Sequence, residues 1–574
     1  MKVKKLAATA LAAAVLATIT LSVIALRPLK VKAAADAAPS QLIADLRSHV
    51  RHVFIIYQEN HSFDEYFGTF PGAEGLASAD ARTHGFRQFD PIGKQWVTPF
   101  RITYPDIMGP SQSRLVIFAK MNGGKMDNFV AEQERVSQAG RFDAQDAQRV
   151  GLGTMSYEDC DTIPYLWKYA KTFALYDHIF EAMAGPSTPS AVAVIAAQAG
   201  QTQWARDPGS ATPSNDKGPG VPIMTDDDPA FGPYPKPLTK PTQIAQRYAT
   251  LMLTLGGSSD AQAVKETDGV REDLESIARS GRAPVGWGWY QEGYNGPSVA
   301  ASKGYVTHHN GPQYFAYLRQ NDVFWKNVHP LRQALDDLRS ETLSNGVYYI
   351  KGGNQNGFSW KPADPDPFVQ EHFLGDDDHS GPGDTDQHIG EAFVATFVNA
   401  VARSRYWNDS AIIVTWDDPG GFYDHVAPPE FERCADGHSC GDGPRIPFIL
   451  ISPYAKSGAI VADAGDTASI PKFVDHVFNV PALSSLPDER RFMPEGPRDG
   501  DPRITDLVGG FDPDRLRGTK PPISAAAAEI DDAVVGRFPP AMNCASLGIK
   551  PVQVPGGLSA PPPGYAPLTA QHSE

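Results

Sequence analysis

The chain has 574 residues, of which 41% are hydrophobic and 21% are charged, and its formal net charge is −16. This composition is that of a globular protein and excludes wholesale disorder, while the length allows one large domain or two to three smaller ones. An acidic protein repels the phosphates of nucleic acids, so nucleic acid is not an expected partner.

The first segment, residues 1–34, has the composition of an export signal. Lysines at its start precede a mostly apolar run at 6–26, and small residues follow at 33–35. This order predicts a signal peptide that is cleaved near residues 33–35. The run also fits an uncleaved membrane anchor, which needs about 20 apolar residues. In either case the rest of the chain is expected to be exported, in the periplasm or secreted, and its charge without the six basic residues of this segment is −22.

Short runs rich in β-branched and aromatic residues predict strands. In chain order these runs lie at 52–58, 172–180, 248–255, 345–352, 410–418 and 446–453. Most of them are almost continuously apolar, as strands covered on both faces are. Helical periodicity lies between them, most clearly at 389–404. The alternation predicts an α/β fold, in which a central, mostly parallel sheet is flanked by helices.

Two regions lack these patterns. Residues 201–243 are rich in Pro, Gly and Asp, which predicts a long surface excursion between core elements. Residues 484–574 are rich in Pro and Gly and are expected to pack over the domain at 35–483 instead of forming a second folded unit.

The chain has four cysteines. In an oxidising compartment Cys434 and Cys440 are close enough to close a short loop, which leaves Cys160 and Cys544 as a second possible pair. Metal binding through these thiols is less favoured, because the sequence contains no CxxC motif.

Oxygen-bearing side chains follow two of the predicted strands directly. Glu59 and Asn60 come after the strand at 52–58, and Asp417 and Asp418 end the run at 410–418. Ligands of open α/β sheets bind at the carboxyl ends of strands. Adjacent buried carboxylates need a cation or a proton, and oxygen ligands suit a divalent metal ion. The alternative is that the two aspartates form a solvated turn before the following glycines.

A serine stands at the start of an Ala-rich helical pattern. Gly185 and Pro186 lead into Ser187, and the helix is expected from about Pro189. Unpaired N–H groups at a helix start favour an anion, so the alkoxide form of this serine is easier to reach. Simple capping is the alternative, because serine is a good N-cap residue.

Six segments together resemble the successive motifs of one family. They are QENHSFDEYFGTFPG, NGGKMDNF, GPSTPS, HHNGPQYF, TWDDPGGFYDHVAPP and GPRIPFILISPYAKSG. In this order, from about residue 50 to 483, they are similar to the bacterial phosphoesterase family that contains acid phosphatases and the haemolytic and non-haemolytic phospholipases C. The resemblance implies an alkaline-phosphatase-like sandwich with its active site at the strand carboxyl ends. It also implies a phosphoric ester hydrolase that uses one divalent metal ion of unknown identity.

The resemblance also implies a role for individual residues. The metal and phosphate ligands would be Glu59, Asn60, Asp417, Asp418 and the nucleophile Ser187. The residues that hold phosphate oxygens or act on the leaving group would be Lys125, His308, His309 and the Asn60 amide, with His379 as a weaker assignment. His425 and Asp424 would support the aspartate loop. Without the resemblance, Lys125 is interpreted as a surface lysine and the two adjacent histidines as loop residues.

The implied mechanism is an in-line attack by the serine, which gives a phosphoserine that water then hydrolyses. A cationic histidine would protonate the leaving oxygen, which predicts an acidic pH optimum. The sequence departs from the family pattern at Gln112, at Ser190 and in the segment 466–469, and these departures put substrate choice in doubt.

Two substrate classes stay open, a small phosphomonoester and a phospholipid. The leader lacks an arginine pair and few residues follow 484, which favours an acid-phosphatase-like monoesterase over a phospholipase C. An aromatic cluster could hold a choline head group by cation–π attraction, although core packing is its commoner use; it comprises Trp287, Trp289, Tyr290 and Tyr294. Membrane contact is expected only through the leader or a lipid substrate, and the sequence does not indicate the oligomeric state. A catalytically inactive protein that binds phosphate or a host partner is the alternative of another class.

Overall fold

The computed structural model describes residues 40–572 except for 79–80, 82–84, 107, 209–222, 224, 230–231, 234–244, 298, 322–325, 380–384, 432–439, 495 and 570. The expected leader at 1–34 and most of the excursion at 201–243 therefore lie outside the described residues. Among the residues that are described, no helix is both long and apolar enough to cross a membrane.

An eight-stranded sheet forms the centre of the molecule. The strands of the described residues are β1 (His52–Gln58), β2 (Gln88–Asp90), β3 (Gln95–Val97), β4 (Phe100–Arg101), β5 (Ser156–Tyr157), β6 (Ala174–Tyr176), β7 (Ile179–Phe180), β8 (Gly286–Gln291), β9 (Val328–Pro330), β10 (Gly346–Lys351), β11 (Ser410–Trp416), β12 (Phe448–Ile451), β13 (Ala459–Val461) and β14 (Gly465–Asp466). The order in the central sheet is β13-β6-β12-β11-β1-β10-β8-β9. Neighbouring strands are parallel except where β12 pairs with β11 and β6. The predicted mostly parallel sheet is thus confirmed.

Helices flank this sheet, and every residue of β1 and β11 is buried beneath them. The helices are α1 (Ser40–His49), α2 (Phe63–Phe67), α3 (Arg114–Met121), α4 (Phe129–Ala139), α5 (Ala144–Gly153), α6 (Pro164–Thr172), α7 (Ser187–Ala196), α8 (Gln201–Arg206), α9 (Leu251–Ala263), α10 (Arg271–Arg279), α11 (Ala316–Arg319), α12 (Leu331–Ser340), α13 (Pro367–His372), α14 (Gln387–Ala402), α15 (Ser469–Phe478), α16 (Pro487–Phe492), α17 (Pro513–Leu516), α18 (Ala525–Ala528), α19 (Asp532–Val535) and α20 (Cys544–Leu547). The helix predicted at 389–404 corresponds to α14. The predicted α/β class is confirmed as a whole.

The strand predicted at 248–255 is wrong, because this segment leads into helix α9. Its apolar residues are mainly Leu, Met and Ala, which favour a helix, and a short apolar run does not by itself separate a helix from a strand. The run at 172–180 forms two strands, β6 and β7, instead of one.

Strand β8 was not among the predicted strands; its aromatic residues were considered for a choline cage, with core packing as the commoner role. Trp287, Trp289, Tyr290 and Tyr294 are all buried, and the Trp289 ring stacks on Tyr349 with ring centroids 5.1 Å apart. Rings that are buried in the core cannot enclose a choline head group. Core packing is therefore the role that the structure gives to this cluster.

The carboxyl-terminal segment is fastened to the domain covalently and by hydrogen bonds. Cys160 and Cys544 form a disulfide across 384 residues of sequence. The partly buried Lys168 ammonium donates to main-chain carbonyls of residues 527–529 at 2.9 to 3.1 Å. Cys440 is also disulfide-bonded, while its expected partner Cys434 lies outside the described residues.

We expect replacement of both Cys160 and Cys544 by serine to lower the free energy of unfolding by about 2–5 kcal/mol, because the crosslink restricts the unfolded chain over a long loop. Thermal unfolding of the double variant, compared with the wild-type protein with and without reductant, measures the effect. An unchanged melting temperature in the double variant would contradict this role.

Candidate active site

The site forms where β1 and β11 end side by side. The two strands are parallel, and Gln58 is opposite Trp416 in their register. The next residue of each strand, Glu59 and Asp417, therefore leaves the sheet at the same edge. The main-chain N–H of Asp417 donates to the Gln58 carbonyl at 3.0 Å, which extends the ladder into the site.

The chain turns sharply after each of the two strands, and the two turns contact each other. Asn60 has a φ of 70°, and its main-chain N–H donates to Asp417 Oδ1 at 3.0 Å. Gly420 has a φ of 64°, and the Asn60 carbonyl oxygen lies 1.9 Å from where a β-carbon of residue 420 would be. Only glycine permits this approach, which explains why a glycine follows Asp417 and Asp418 so closely.

Ser187 reaches the same place from a third segment. It is the first residue of α7 and is buried. Its hydroxyl lies 3.2 Å from Glu59 Oε2, to which it can donate a hydrogen bond, and 3.5 Å from Asp418 Oδ2. The Asn60 amide also donates to Glu59 Oε2, at 3.2 Å. Five of the residues selected from the sequence thus meet around one point.

A lysine that the sequence analysis did not select holds this point in place. The buried Lys351 Nζ lies 2.5 Å from Glu59 Oε1 and 2.6 Å from Asp377 Oδ2. Lys351 is the last residue of β10, which is parallel to β1. The argument that selected Glu59, a polar residue at the carboxyl end of a buried strand, applies equally to Lys351 and could have found it.

His309 contacts the same carboxylate, and Nδ1 of its ring lies 2.8 Å from Glu59 Oε1. Burial lowers the pKa of His309 well below its usual value, more than the Glu59 carboxylate raises it. When the proton of the neutral ring is on Nδ1, facing the carboxylate, the lone pair of Nε2 is available to a ligand.

The carboxylates of the site differ in their electrostatic environments. Burial opposes ionisation of Glu59, but His309 and Lys351 together hold its pKa well below the usual value. Burial and the nearby Glu59 raise the pKa of Asp417 to about 7. Burial, Asp417 and Glu181 raise the pKa of Asp418 well above its usual value. The protein supplies one lysine for several carboxylates, so the set lacks positive charge.

The donor set fits a divalent metal ion. Among the described residues, one ligand atom each from Glu59, His309 and Asp417 lies within 4.8 Å of the others. The side-chain oxygens Asn60 Oδ1 and Asp417 Oδ2 are buried without a hydrogen-bond partner. Buried oxygens of this kind are normally satisfied, and a cation would satisfy them while balancing the charge of the carboxylates.

The remaining selected residues lie at different distances from this cluster. His308 packs edge-on against His309, with ring centroids 4.5 Å apart, and its Nε2 lies 3.9 Å from Asp226 Oδ2. Asp226 Oδ1 in turn accepts from the N–H and hydroxyl of Thr188, at 3.0 Å each. His308 therefore borders the start of α7, beside the serine.

Lys125 is exposed in the turn after α3, and none of the described contacts joins its side chain to the cluster. His379 is partly buried, and its charge contributes to lowering the pKa of Glu59. A different lysine, Lys120, is buried and donates to the carbonyls of Ser111 and Gly421 at 3.1 and 2.9 Å. Lys120 thus anchors the glycine turn that follows the aspartates. No local pattern in the sequence indicates this contact.

A second network, of buried ion pairs, supports the loop that follows Asp417 and Asp418. Arg445 contacts Asp64 at 3.0 Å and Asp424 at 2.9 Å, and His425 Nδ1 lies 2.6 Å from Asp64. These two aspartates and His425 lie close enough for a metal site. The guanidinium already occupies the space between the carboxylates, however, so the network is structural. The expected supporting role of Asp424 and His425 agrees with these contacts.

A comparison with family models identifies the family of the chain. The family model described as "Phosphoesterase family" matches residues 50–481. The chain belongs to the Phosphoesterase family. The resemblance found in the sequence motifs is thereby confirmed.

Curated relatives at low identity carry phospholipase C names. The non-hemolytic phospholipase C of Burkholderia pseudomallei is 24% identical over 514 residues, which are 82% of this chain and 62% of the relative. The hemolytic phospholipase C of Pseudomonas aeruginosa is 22% identical over 75% of this chain and 53% of the relative. Phospholipase C B of Mycobacterium tuberculosis is 25% identical over 75% and 74%, respectively. The chain thus spans less than two thirds of the length of the first two relatives.

Among solved structures, the PsFucS1 sulfatase of Pseudoalteromonas is 10% identical, with a TM-score of 0.32 and coverage of 79% of this chain and 74% of that one. A score this low supports no conclusion about function.

We expect Lys351→Met to lower the free energy of unfolding by about 3–5 kcal/mol, because it leaves two buried carboxylates without their shared cation. Thermal unfolding measures this effect. Asp377→Asn removes one partner but retains the contact between Lys351 and Glu59, so we expect it to destabilise the protein less than Lys351→Met does. The exposed Lys125→Met is the control. Unchanged stability in Lys351→Met would contradict the assignment.

Proposed function

We propose that the chain is an exported, metal-dependent hydrolase of phosphoric esters in which Ser187 is the nucleophile. The observation that carries the proposal is the buried Ser187 hydroxyl, which lies within 3.5 Å of carboxylates from two different strand ends. Membership of the Phosphoesterase family supports the reaction class. The disulfide between Cys160 and Cys544 supports an oxidising compartment, where such bonds persist.

The ligands of the metal ion would be Glu59, Asn60, Asp417, Asp418 and the Ser187 hydroxyl, with His309 Nε2 available beside them. When bound, a divalent ion neutralises phosphate charge and lowers the pKa of a hydroxyl group that it contacts. The protein's own part is to hold the serine in the first turn of α7, where main-chain N–H groups favour the oxyanion.

In the first step Ser187 Oγ forms a bond to phosphorus while the bond to the leaving oxygen breaks. The hydroxyl proton passes to Glu59 Oε2 or Asp418 Oδ2, the two oxygens that the hydroxyl faces. His308 is the better candidate to protonate the leaving oxygen, because its ring is partly exposed beside the serine whereas His309 keeps its proton against Glu59. Water then hydrolyses the phosphoserine, and the same histidine accepts a proton from that water.

The substrate class has two candidates. A small phosphomonoester requires nothing beyond this site. A phospholipid is favoured by the names of the relatives at 22% to 25% identity, which are phospholipases C. The buried aromatic cluster at β8 gives no support to a choline cage, so a preference for choline lipids would need other residues. The intact arrangement of nucleophile and acidic ligands argues against a catalytically inactive binding protein.

We expect Ser187→Ala to reduce hydrolysis of an aryl phosphate by at least about a thousandfold, because the covalent step loses its nucleophile. The matched control is Ser190→Ala, one turn further along the same helix, which should retain most of the activity. Rates are measured from pH 4 to 8 with added divalent ions and again after treatment with a chelator, which should abolish the activity of the wild-type protein. Full activity of Ser187→Ala would refute the proposed nucleophile.

The same proteins distinguish the substrate classes when an aryl phosphate, an aryl ester of phosphorylcholine and phosphatidylcholine vesicles are compared. A monoesterase hydrolyses only the first, and a phospholipase C hydrolyses the other two. Inactivity toward all three substrates, with metal present, would favour the binding protein.

A further inference from the structure

A surface hairpin exposes an aromatic pair to solvent. Strands β2 and β3 are antiparallel, and Phe89 is opposite Trp96 in their register. The two rings lie 5.4 Å apart, and the residues are 40% and 55% exposed. On the opposite face Gln88 and Val97 are buried against the protein. The hairpin therefore has one face for the fold and one aromatic face for solvent.

The exposed charges of this hairpin are basic, although the chain as a whole carries −16. Its one acidic residue among 87–97, Asp90, is buried and accepts from Gly93 N–H at 2.6 Å and from the Gln95 amide at 2.8 Å. Arg87 and Lys94 are exposed, and the Arg87 guanidinium lies over the Trp96 ring at 5.2 Å. Aromatic and basic groups together present a local surface opposite in sign to the protein.

The carboxyl-terminal segment packs beside the hairpin. The Gln95 amide donates to the Pro563 carbonyl at 2.8 Å, and the Thr98 hydroxyl donates to the Gly556 carbonyl at 2.9 Å. Residues 549–569 contain no Asp or Glu. Val552 and Leu568 of this segment are exposed apolar side chains.

The hairpin is joined to the aspartate loop through a short chain of contacts. The Gln88 amide donates to the Met126 carbonyl at 3.0 Å, and its oxygen accepts from the Phe129 N–H at 2.7 Å. Met126 belongs to the turn after α3, in which a β-carbon at Gly124 would contact Ala427. Ala427 lies nine residues beyond Asp418, in the segment that follows the two aspartates. The aromatic face and the site thus belong to one connected part of the molecule.

We propose that the face formed by Arg87, Phe89, Lys94 and Trp96 docks the protein on a zwitterionic phospholipid bilayer. Aromatic rings favour the boundary between head groups and acyl chains, and arginine and lysine bind head-group phosphates. The acidic remainder of the protein is repelled by anionic surfaces, which favours a zwitterionic bilayer. The inference rests on the proposed function in its phospholipid form, for which the substrate lies in a bilayer.

The test uses phosphatidylcholine vesicles and the protein without residues 1–34, so that the leader cannot bind the bilayer. We expect Phe89→Ala/Trp96→Ala to weaken co-sedimentation with the vesicles by roughly tenfold, and Arg87→Gln/Lys94→Gln to weaken it by about threefold. The control is Phe142→Ala, which removes another exposed phenyl ring, in the turn between α4 and α5. All of these variants should hydrolyse a soluble aryl ester at the wild-type rate.

Wild-type protein that does not bind the vesicles would overturn the docking surface, and so would an equal loss of binding in Phe142→Ala and in the hairpin variants. Vesicle binding that depends on the hairpin in a protein without activity toward any ester would refute the proposed function and leave the docking surface in place. Loss of vesicle binding together with loss of the soluble activity would indicate a damaged fold, so circular dichroism and the melting temperature are measured on each variant. A hairpin variant that is folded and still binds as the wild-type protein does would also overturn the proposal.

Discussion

The site depends on one buried ion pair, between Lys351 and Glu59 at the carboxyl ends of neighbouring parallel strands. An isolated carboxylate in the centre of a protein would take up a proton, and an isolated ammonium would lose one. Together the two groups stay charged, and Oε2 of Glu59 remains directed at the Ser187 hydroxyl. The geometry around the serine follows from this contact, because it fixes which oxygen of Glu59 faces which neighbour.

The same arrangement recurs where distant segments must be held together. Lys351 lies between Glu59 and Asp377, Arg445 lies between Asp64 and Asp424, and the buried Arg498 lies 2.7 and 2.9 Å from Asp442 and Asp466. In each case one buried cation joins two acids from separate segments of the chain. Such contacts are demanding, because removal of any member leaves a charge without compensation. They hold rigid the irregular loops at the strand ends, which have no regular hydrogen-bonding ladder of their own.

The site and the hairpin illustrate two different uses of acidic residues in a negatively charged protein. The strand ends carry more carboxylates than the neighbouring cations can neutralise. This arrangement suits a metal ion. At the hairpin, the single aspartate is turned inward and satisfied by hydrogen bonds, so that the exposed face carries only basic and aromatic groups. Both groups of carboxylates are buried, and they differ in whether hydrogen bonds satisfy their oxygens.

The family resemblance placed Ser187 with the acidic residues. The sequence by itself indicated the α/β class, the strands at 52–58 and 410–418, and the grouping of Glu59, Asn60, Asp417 and Asp418. It did so because strand ends carry a local signal, an apolar run followed at once by polar residues and glycines. Tertiary structure alone decided that 251–263 is a helix and that the aromatic run at 286–291 is a buried strand, since short apolar runs suit either state until their neighbours are known. It also decided the positions of Lys351, Lys120 and Arg445, and it separated the exposed Lys125 from the cluster. Such contacts join residues that are hundreds of positions apart, and their energy depends on burial and on partners that no local pattern records.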